Sequence, residues 1–388
     1  VRDLWALRPD VLYLNHGSFG ACPRAILERQ SALREEMERE PVDFLSRGLP
    51  ARLRAAREAV AAFVSADPEG LAFVANATAG VNAVLRSLPL RPGDEILETD
   101  HGYAACRKAT RFAAARVGAL VTTASIPFPV ASEDEIVSAV LARAGPRTRL
   151  AVIDHVTSPT ALVLPIERIV REFRARGVET LVDGAHALGM VPLDLDRLGA
   201  AYYTANAHKW LCAPKGAAIL WVRGDLRAEI HPPVVSHGYD PASPGAAFLE
   251  EFDWTGTFDP TAWLVLPDCI QLLGSLLPGG WPAVMERNRA LAREGRDDLA
   301  RALGVEAPCP DSMLGAMASL PLPAPREGSP AAVLDPEGLT RRLRDRGIES
   351  WFHPWPCAGG AVVRISAQLY NVRSDYAALA DSLREAGL

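Results

Sequence analysis

LAVIDHVTSPTALVLPIERIVREFRARGVETLVDGAH, residues 150–186, sets two short apolar runs, Leu150–Asp154 and Thr180–Asp183, on either side of a helical stretch at 165–176. Apolar runs of this length, separated by helix, predict strands buried on both faces of a parallel sheet. Working outward, the same texture repeats at Leu71–Ala75, Glu95–Glu98, Ala119–Ala124, Ala201–Ala205 and Ala217–Val222, with helical patterns near 79–88, 104–116 and 133–143. Seven such strands predict one large α/β domain whose mostly parallel sheet is covered by helices. A further helix is expected over 51–66.

The texture changes after about residue 260. A helical stretch at 262–303 is interrupted by Pro278, Gly279, Gly280 and Pro282, and a Pro-rich segment follows from Pro308 to Pro330. Beyond it a strand-like Ala331–Leu334, a helix at Pro336–Arg346, strands near Glu349–His353 and Ala361–Ser366, and a helical tail at Ser374–Glu385 predict a smaller α+β unit. The expected division is a large domain over 21–262, with 1–20 and 263–388 forming the small one.

With 388 residues, 49% of them hydrophobic, the chain can bury cores for both units. A net charge of −6 gives no basic footprint for nucleic acid. No apolar run is long enough for a membrane span, and Val1–Asp10 lacks the apolar core of a signal peptide. The six cysteines form no CxxC pair, which suits free thiols in a reducing cytoplasm better than disulfides or a metal site. No GxGxxG follows a strand, which argues against a dinucleotide-binding dehydrogenase.

Of the 41 Lys plus Arg residues, only Lys108, Lys209 and Lys215 are lysines. Where only charge matters, arginine has been used. A remaining lysine is then a candidate for what a guanidinium cannot do, such as imine formation. Lys209 lies 26 residues past Asp183, in Asn206-Ala207-His208-Lys209-Trp210 after another predicted strand. Asp183 closes its own strand and points into the crevice where open α/β sheets bind ligands. Asn76-Ala77-Thr78-Ala79-Gly80 joins a strand to a helix and offers backbone N–H groups to an anion. Alone, each is an ordinary cap or surface residue. Together they supply a lysine, a carboxylate and a phosphate cup, three requirements of pyridoxal-phosphate (PLP) catalysis, which also needs ring cover and a cation for the substrate carboxylate.

With Asn76-Ala77-Thr78, Asp183-Gly184-Ala185-His186, His208-Lys209, Arg364-Ile365-Ser366 and Tyr370-Asn371 in this order, the chain resembles the class V aminotransferase-like PLP enzymes of fold type I. Tyr13-Leu14-Asn15-His16-Gly17-Ser18-Phe19-Gly20, His101-Gly102-Tyr103 and Trp254-Thr255-Gly256-Thr257 make it most similar to the isopenicillin N epimerase-like branch. The resemblance implies that Lys209 holds PLP as a Schiff base and carries the proton at Cα, and that Asp183 pairs with the ring nitrogen. It implies that His186 and Ser158 lie near the ring hydroxyl, and that Ala77, Thr78, Asn206 and His208 lie near the phosphate. Tyr103 or His101 would stack on the ring, with Tyr103 favoured. Arg364 would grip the substrate carboxylate, with Asn15 and His16 nearby; His16 serves equally well as a structural residue. Thr257 would reach the cofactor phosphate of a partner subunit, implying a homodimer.

The expected activity is deprotonation of an α-amino acid at Cα, leading to epimerisation or, alternatively, to β-elimination with C–S cleavage. A second proton donor for epimerisation would be Tyr103, His101 or His16. A persulfide-forming desulfurase is disfavoured, because Glu349-Ser350-Trp351 stands where such enzymes place a cysteine loop. Phe258 stands where branch relatives often carry Arg. A non-catalytic binding protein that keeps the fold is the alternative from another class.

Overall fold

The structure, a computed structural model, describes residues 1–240, 248–324, 335–355 and 360–388. Its central element is a seven-stranded sheet. In chain order the strands are β2 (Leu71–Val74), β3 (Glu95–Thr99), β4 (Leu120–Ala124), β5 (Thr148–Asp154), β6 (Glu179–Asp183), β7 (Tyr202–Asn206) and β8 (Ala218–Val222), following a short N-terminal β1 (Leu12–Tyr13). The spatial order is β2-β8-β7-β6-β5-β3-β4, with β8 antiparallel to both neighbours and every other pairing parallel. All seven predicted strands and the helices between them are present within a few residues of the expected bounds. β2, β7 and β8 are buried along their whole length, as strands covered on both faces must be. The helices that cover them, such as Ile166–Ala175, turn Ile166, Ile169, Val170 and Phe173 inward.

Three strands form a second, antiparallel sheet: β9 (Met317–Pro321), β11 (Trp351–Pro354) and β12 (Ala361–Ser366), in the order β11-β12-β9. β9 is a correction to the sequence reading, which passed over it inside the Pro-rich segment. Its residues 317–320 are buried, and Pro321 ends it on an edge strand, where proline is tolerated. The expected strand at 331–334 lies outside the described residues. The helical stretch at 262–303 resolves into Thr261–Leu264, Leu266–Ser275 and Gly280–Leu303. Gly279 and Gly280, both at positive φ, make the turn, while Pro282 sits in the first turn of the last helix, where its missing N–H costs nothing.

The N-terminal segment joins this second unit. β1 pairs in parallel with β10 (Ile348–Glu349), and Ser366 N–H donates to Leu14 O at 2.8 Å. The segment then passes over the end of β7. A Cβ on Gly20 would lie 2.5 Å from both the His208 and Lys209 carbonyl oxygens, so only glycine permits this approach.

Candidate active site

At the C-terminal ends of β5, β6 and β7 a cleft of about 440 Å³ opens between the large sheet and the N-terminal segment. Parallel strands place the residues that follow them along one edge, so chain positions far apart converge there. Of the residues singled out from sequence, Ala77, Thr78, Tyr103, Ser158, Asp183, His186, Asn206, His208 and Lys209 all line this cleft.

Asp183 is buried, and its Oδ1 accepts from Ala185 N–H at 3.0 Å. The Lys209 amine lies 3.1 Å from His186 Nε2. Burial, with help from the Arg364 charge, pulls Lys209 down to about 8, so the amine is within reach of its neutral, nucleophilic form. The helix Ala77–Ser87 begins at the cleft. Its cap is Asn76, whose Oδ1 accepts from Ala79 N–H at 2.9 Å, and Asn206 Oδ1 accepts from Ala77 N–H at 2.8 Å. These bonds fix a helix N-terminus, with its partial positive charge, toward the cleft.

Arg364 does not itself line the cleft but is fastened to its wall. Its Nη1 donates to Ser158 O at 2.7 Å and to Ser158 Oγ at 3.2 Å, and its Nη2 donates to Ser18 Oγ at 2.7 Å and Asn15 Oδ1 at 3.3 Å. The guanidinium stacks on Trp351 at 4.4 Å. It is only 2% exposed and, among the described residues, faces no carboxylate. Burial pulls it down to about 10. A buried cation held only by neutral acceptors is costly until an anion arrives.

Four residues stand elsewhere. His101 is fully buried outside the cleft lining, with Nδ1 2.7 Å from Thr160 Oγ1 and Nε2 3.1 Å from Ile126 O. Both ring nitrogens are occupied, so the structure does not bring His101 to the ring or to a reacting proton. His16 is likewise committed, with Nδ1 2.8 Å from Tyr370 Oη and Nε2 2.9 Å from Lys209 O, and it holds the N-terminal segment against the lysine backbone. Asn15 meets the site through Arg364. Thr257 is exposed and outside the lining. Phe258 packs on Trp263 at a centroid distance of 4.7 Å and so contributes packing at the place of the missing charge. Tyr103, by contrast, stands at the N-cap position of the helix Ala104–Val117 and lines the cleft as an exposed side chain.

The sequence reading passed over Asp154, Cys106 and Ser18. Asp154 lines the cleft at the end of β5, in register with Asp183. The rule that drew attention to Asp183 applies to it equally. Burial and the neighbouring Asp183 charge push Asp154 well above the usual carboxylate range. Cys106 Sγ donates to Asp183 Oδ2 at 3.1 Å, a contact with no sequence signal because the partners sit 77 residues apart.

The cleft fits PLP on its own chemistry. Buried polar atoms without hydrogen-bond partners occur in and beside its lining: His186 Nδ1 and His208 Nδ1 in cleft residues, and Arg364 Nε behind the wall that Ser158 and Ser18 form. Leaving such atoms unpaired costs about 1–3 kcal/mol each, which a polar ligand relieves. Asp183 would hold the ring nitrogen, the Ala77–Thr78 helix terminus with Asn206 and His208 the phosphate, and Lys209 the aldehyde carbon. When bound, PLP supplies a sink for the electron pair released at Cα.

A strand-edge carboxylate, a depressed lysine and a helix N-terminus on a mostly parallel sheet define a PLP-dependent enzyme of fold type I. A family model for aminotransferase class-V matches residues 36–378, and the chain belongs to that family. It is 38% identical over 395 residues to isopenicillin N epimerase of Streptomyces clavuligerus, covering 98% of this chain and 96% of that protein. It is 34% identical over 409 residues to putative L-cysteine desulfhydrase 1 of Oryza sativa subsp. japonica, covering 97% and 83%. The solved complex of the cystine C–S lyase C-DES with its reaction product cysteine persulfide has the same fold, with a TM-score of 0.81 at 23% identity, covering 98% of this chain and 99% of that one.

Proposed function

We propose that this enzyme inverts an α-amino acid at Cα, as an epimerase or racemase. The observation that carries the reading is Arg364: a buried guanidinium without a carboxylate partner among the described residues, joined through Ser158 and Ser18 to the cleft that holds Lys209. Its planar fork suits a substrate α-carboxylate. Lys209 Nζ, neutral above about pH 8, takes the Cα proton. Inversion needs a second donor. His101 and His16 are committed to internal bonds, whereas Tyr103 lines the cleft on a separate element, so its hydroxyl is assigned that role. The 38% identity to an isopenicillin N epimerase supports the assignment.

The second reading is C–S β-elimination, favoured by the 34% identity to a putative L-cysteine desulfhydrase. Both begin with the same proton transfer. Incubating the PLP-loaded enzyme with L-amino acids and cysteine conjugates, while following chiral inversion and pyruvate together, separates them. Inversion without pyruvate supports the first reading; pyruvate without inversion replaces it with the second. A persulfide route stays disfavoured: Ser350, at the place of the expected cysteine loop, is buried and donates to Arg364 O.

The working unit is proposed to be a homodimer with shared active sites. Thr257 is exposed, and Trp254 beside it lines an apolar groove of about 670 Å³ with Pro41, Val42, Leu45 and Leu49. A cytoplasmic location is proposed on the cysteines, the five described ones all being free and buried. Mixing inactive Lys209→Met and inactive Thr257→Ala subunits tests the dimer. Partial recovery of activity supports it, and an active monomer in sedimentation rejects it.

A further inference from the structure

The helix Ala104–Val117 enters the site twice. Its cap, Tyr103, faces the open cleft, and one turn later Cys106 lies beneath Asp183. Cys106 is 3% exposed, and its thiol proton points at Asp183 Oδ2. Thr78, from the helix terminus assigned to the phosphate, acts on the thiol in the opposite sense to Asp183. Asp183 Oδ1 is already held by Ala185 N–H. Both carboxylate oxygens are therefore engaged before any ligand arrives, one by a backbone amide and one by a thiol.

We propose that Cys106 is a positioning residue for Asp183. It fixes the carboxylate plane and sets how tightly that carboxylate holds the ring-nitrogen proton. This rests on the assignment of Asp183 to the ring nitrogen. The choice of sulfur has a physical reason. A hydrogen bond to the ionised form of a carboxylate makes it a weaker base, and S–H is a weaker donor than O–H. A serine in this place would orient Asp183 equally well but weaken its hold on the proton; an alanine would leave Oδ2 unheld and more basic. The other titratable groups acting on Asp183 or on the thiol are Asp154 on β5, Lys209 after β7 and Tyr203 on β7. Burial, followed by the Asp183 charge, keeps the Cys106 thiol protonated, as a donor must be.

The test uses the PLP-loaded enzyme and its visible absorption and circular dichroism, read against pH. Cys106→Ala and Cys106→Ser are expected to move the midpoint of the cofactor band in opposite directions, up and down. Each shift should correspond to roughly two- to fivefold in proton affinity, the size of one hydrogen bond. Cys106→Ser should keep the induced dichroism, and Cys106→Ala should lose part of it together with several-fold in PLP affinity. Cys269→Ala, which empties another buried thiol site, should move neither readout. Asp183→Asn separates the two layers of the argument. If it leaves the cofactor spectrum unchanged, the assignment of Asp183 fails. If it alters the spectrum while both Cys106 variants match wild type, or shift together, the role of Cys106 fails. Should Cys106→Ala not fold, Cys106→Ser decides: a lowered midpoint with retained dichroism supports the proposal, and an unmoved midpoint overturns it.

Discussion

The two walls of the cleft are built differently. The wall from the large sheet holds charges of both signs at strand ends, Asp183 as the last residue of β6 and Lys209 after β7, each set by hydrogen bonds. The wall from the N-terminal segment and β12 holds one charge, Arg364, fastened by Ser18, Asn15 and Ser158 and facing no acid among the described residues. A site with internal charge balance can wait for a resident cofactor. A lone buried cation is completed only by a ligand that comes and goes. The contrast assigns cofactor to one wall and substrate to the other.

Lys209→Met should break the first wall most severely. Turnover is expected to fall on the order of 10³-fold or more, since the covalent anchor and the proton carrier are one residue. The same variant reports on the charge state of the apoprotein. The folded-state pKa is depressed to about 8 from the ordinary 10.5, so the unfolded chain binds the proton more tightly between these values. Apoprotein stability therefore rises with pH across that window, and the penalty is complete below pH 8. Lys209→Met removes it. Below pH 8 the variant apoprotein should be the more stable by up to about 3 kcal/mol, with the gap closing toward pH 10.5 in denaturant titrations. A gap that widens with pH would contradict the buried, depressed amine.

Asp183→Asn should lower turnover about 10²-fold while PLP still binds, because the amide keeps the shape but cannot hold the ring proton. Turnover near wild type would detach Asp183 from the first wall. Arg364→Lys probes the second wall. It should raise KM for amino acids about 10- to 100-fold, the value of a charge-assisted bidentate pair, with PLP affinity little changed. A loss in PLP affinity equal to the KM effect would erase the distinction between walls. The smallest effect is expected at the joint. His16→Ala unpairs Tyr370 Oη and the Lys209 carbonyl, so it should cost about 1–3 kcal/mol in chemical denaturation and leave KM for substrate largely intact.

The large-sheet wall was legible in the sequence because each of its residues sits at a strand end in a repeating strand–helix pattern. Asp183, Lys209 and Asn76–Thr78 could be placed by that pattern alone. Asp154 obeys the same rule and was passed over because nothing nearby repeated a motif. His101 shows the opposite error. Its neighbourhood, His101-Gly102-Tyr103, marks the right loop, but which of the two rings turns outward depends on Thr160 and Ile126, which bind the histidine from other elements. β9 was hidden for a related reason. Prolines around Met317–Pro321 suppress a local strand reading, whereas its pairing with β12 comes entirely from a distant segment.

By itself the sequence determined the architecture and the chemistry available, since apolar periodicity and strand-end placement are local properties that each segment carries unaided. The tertiary structure alone decided the charge states and partners: the depressed lysine, the raised Asp154, the thiol beneath Asp183 and the Arg364 cradle. Those depend on burial and on contacts between residues as far apart as Ser18 and Arg364. Desolvation and hydrogen bonding at such range exist only once the chain has closed on itself.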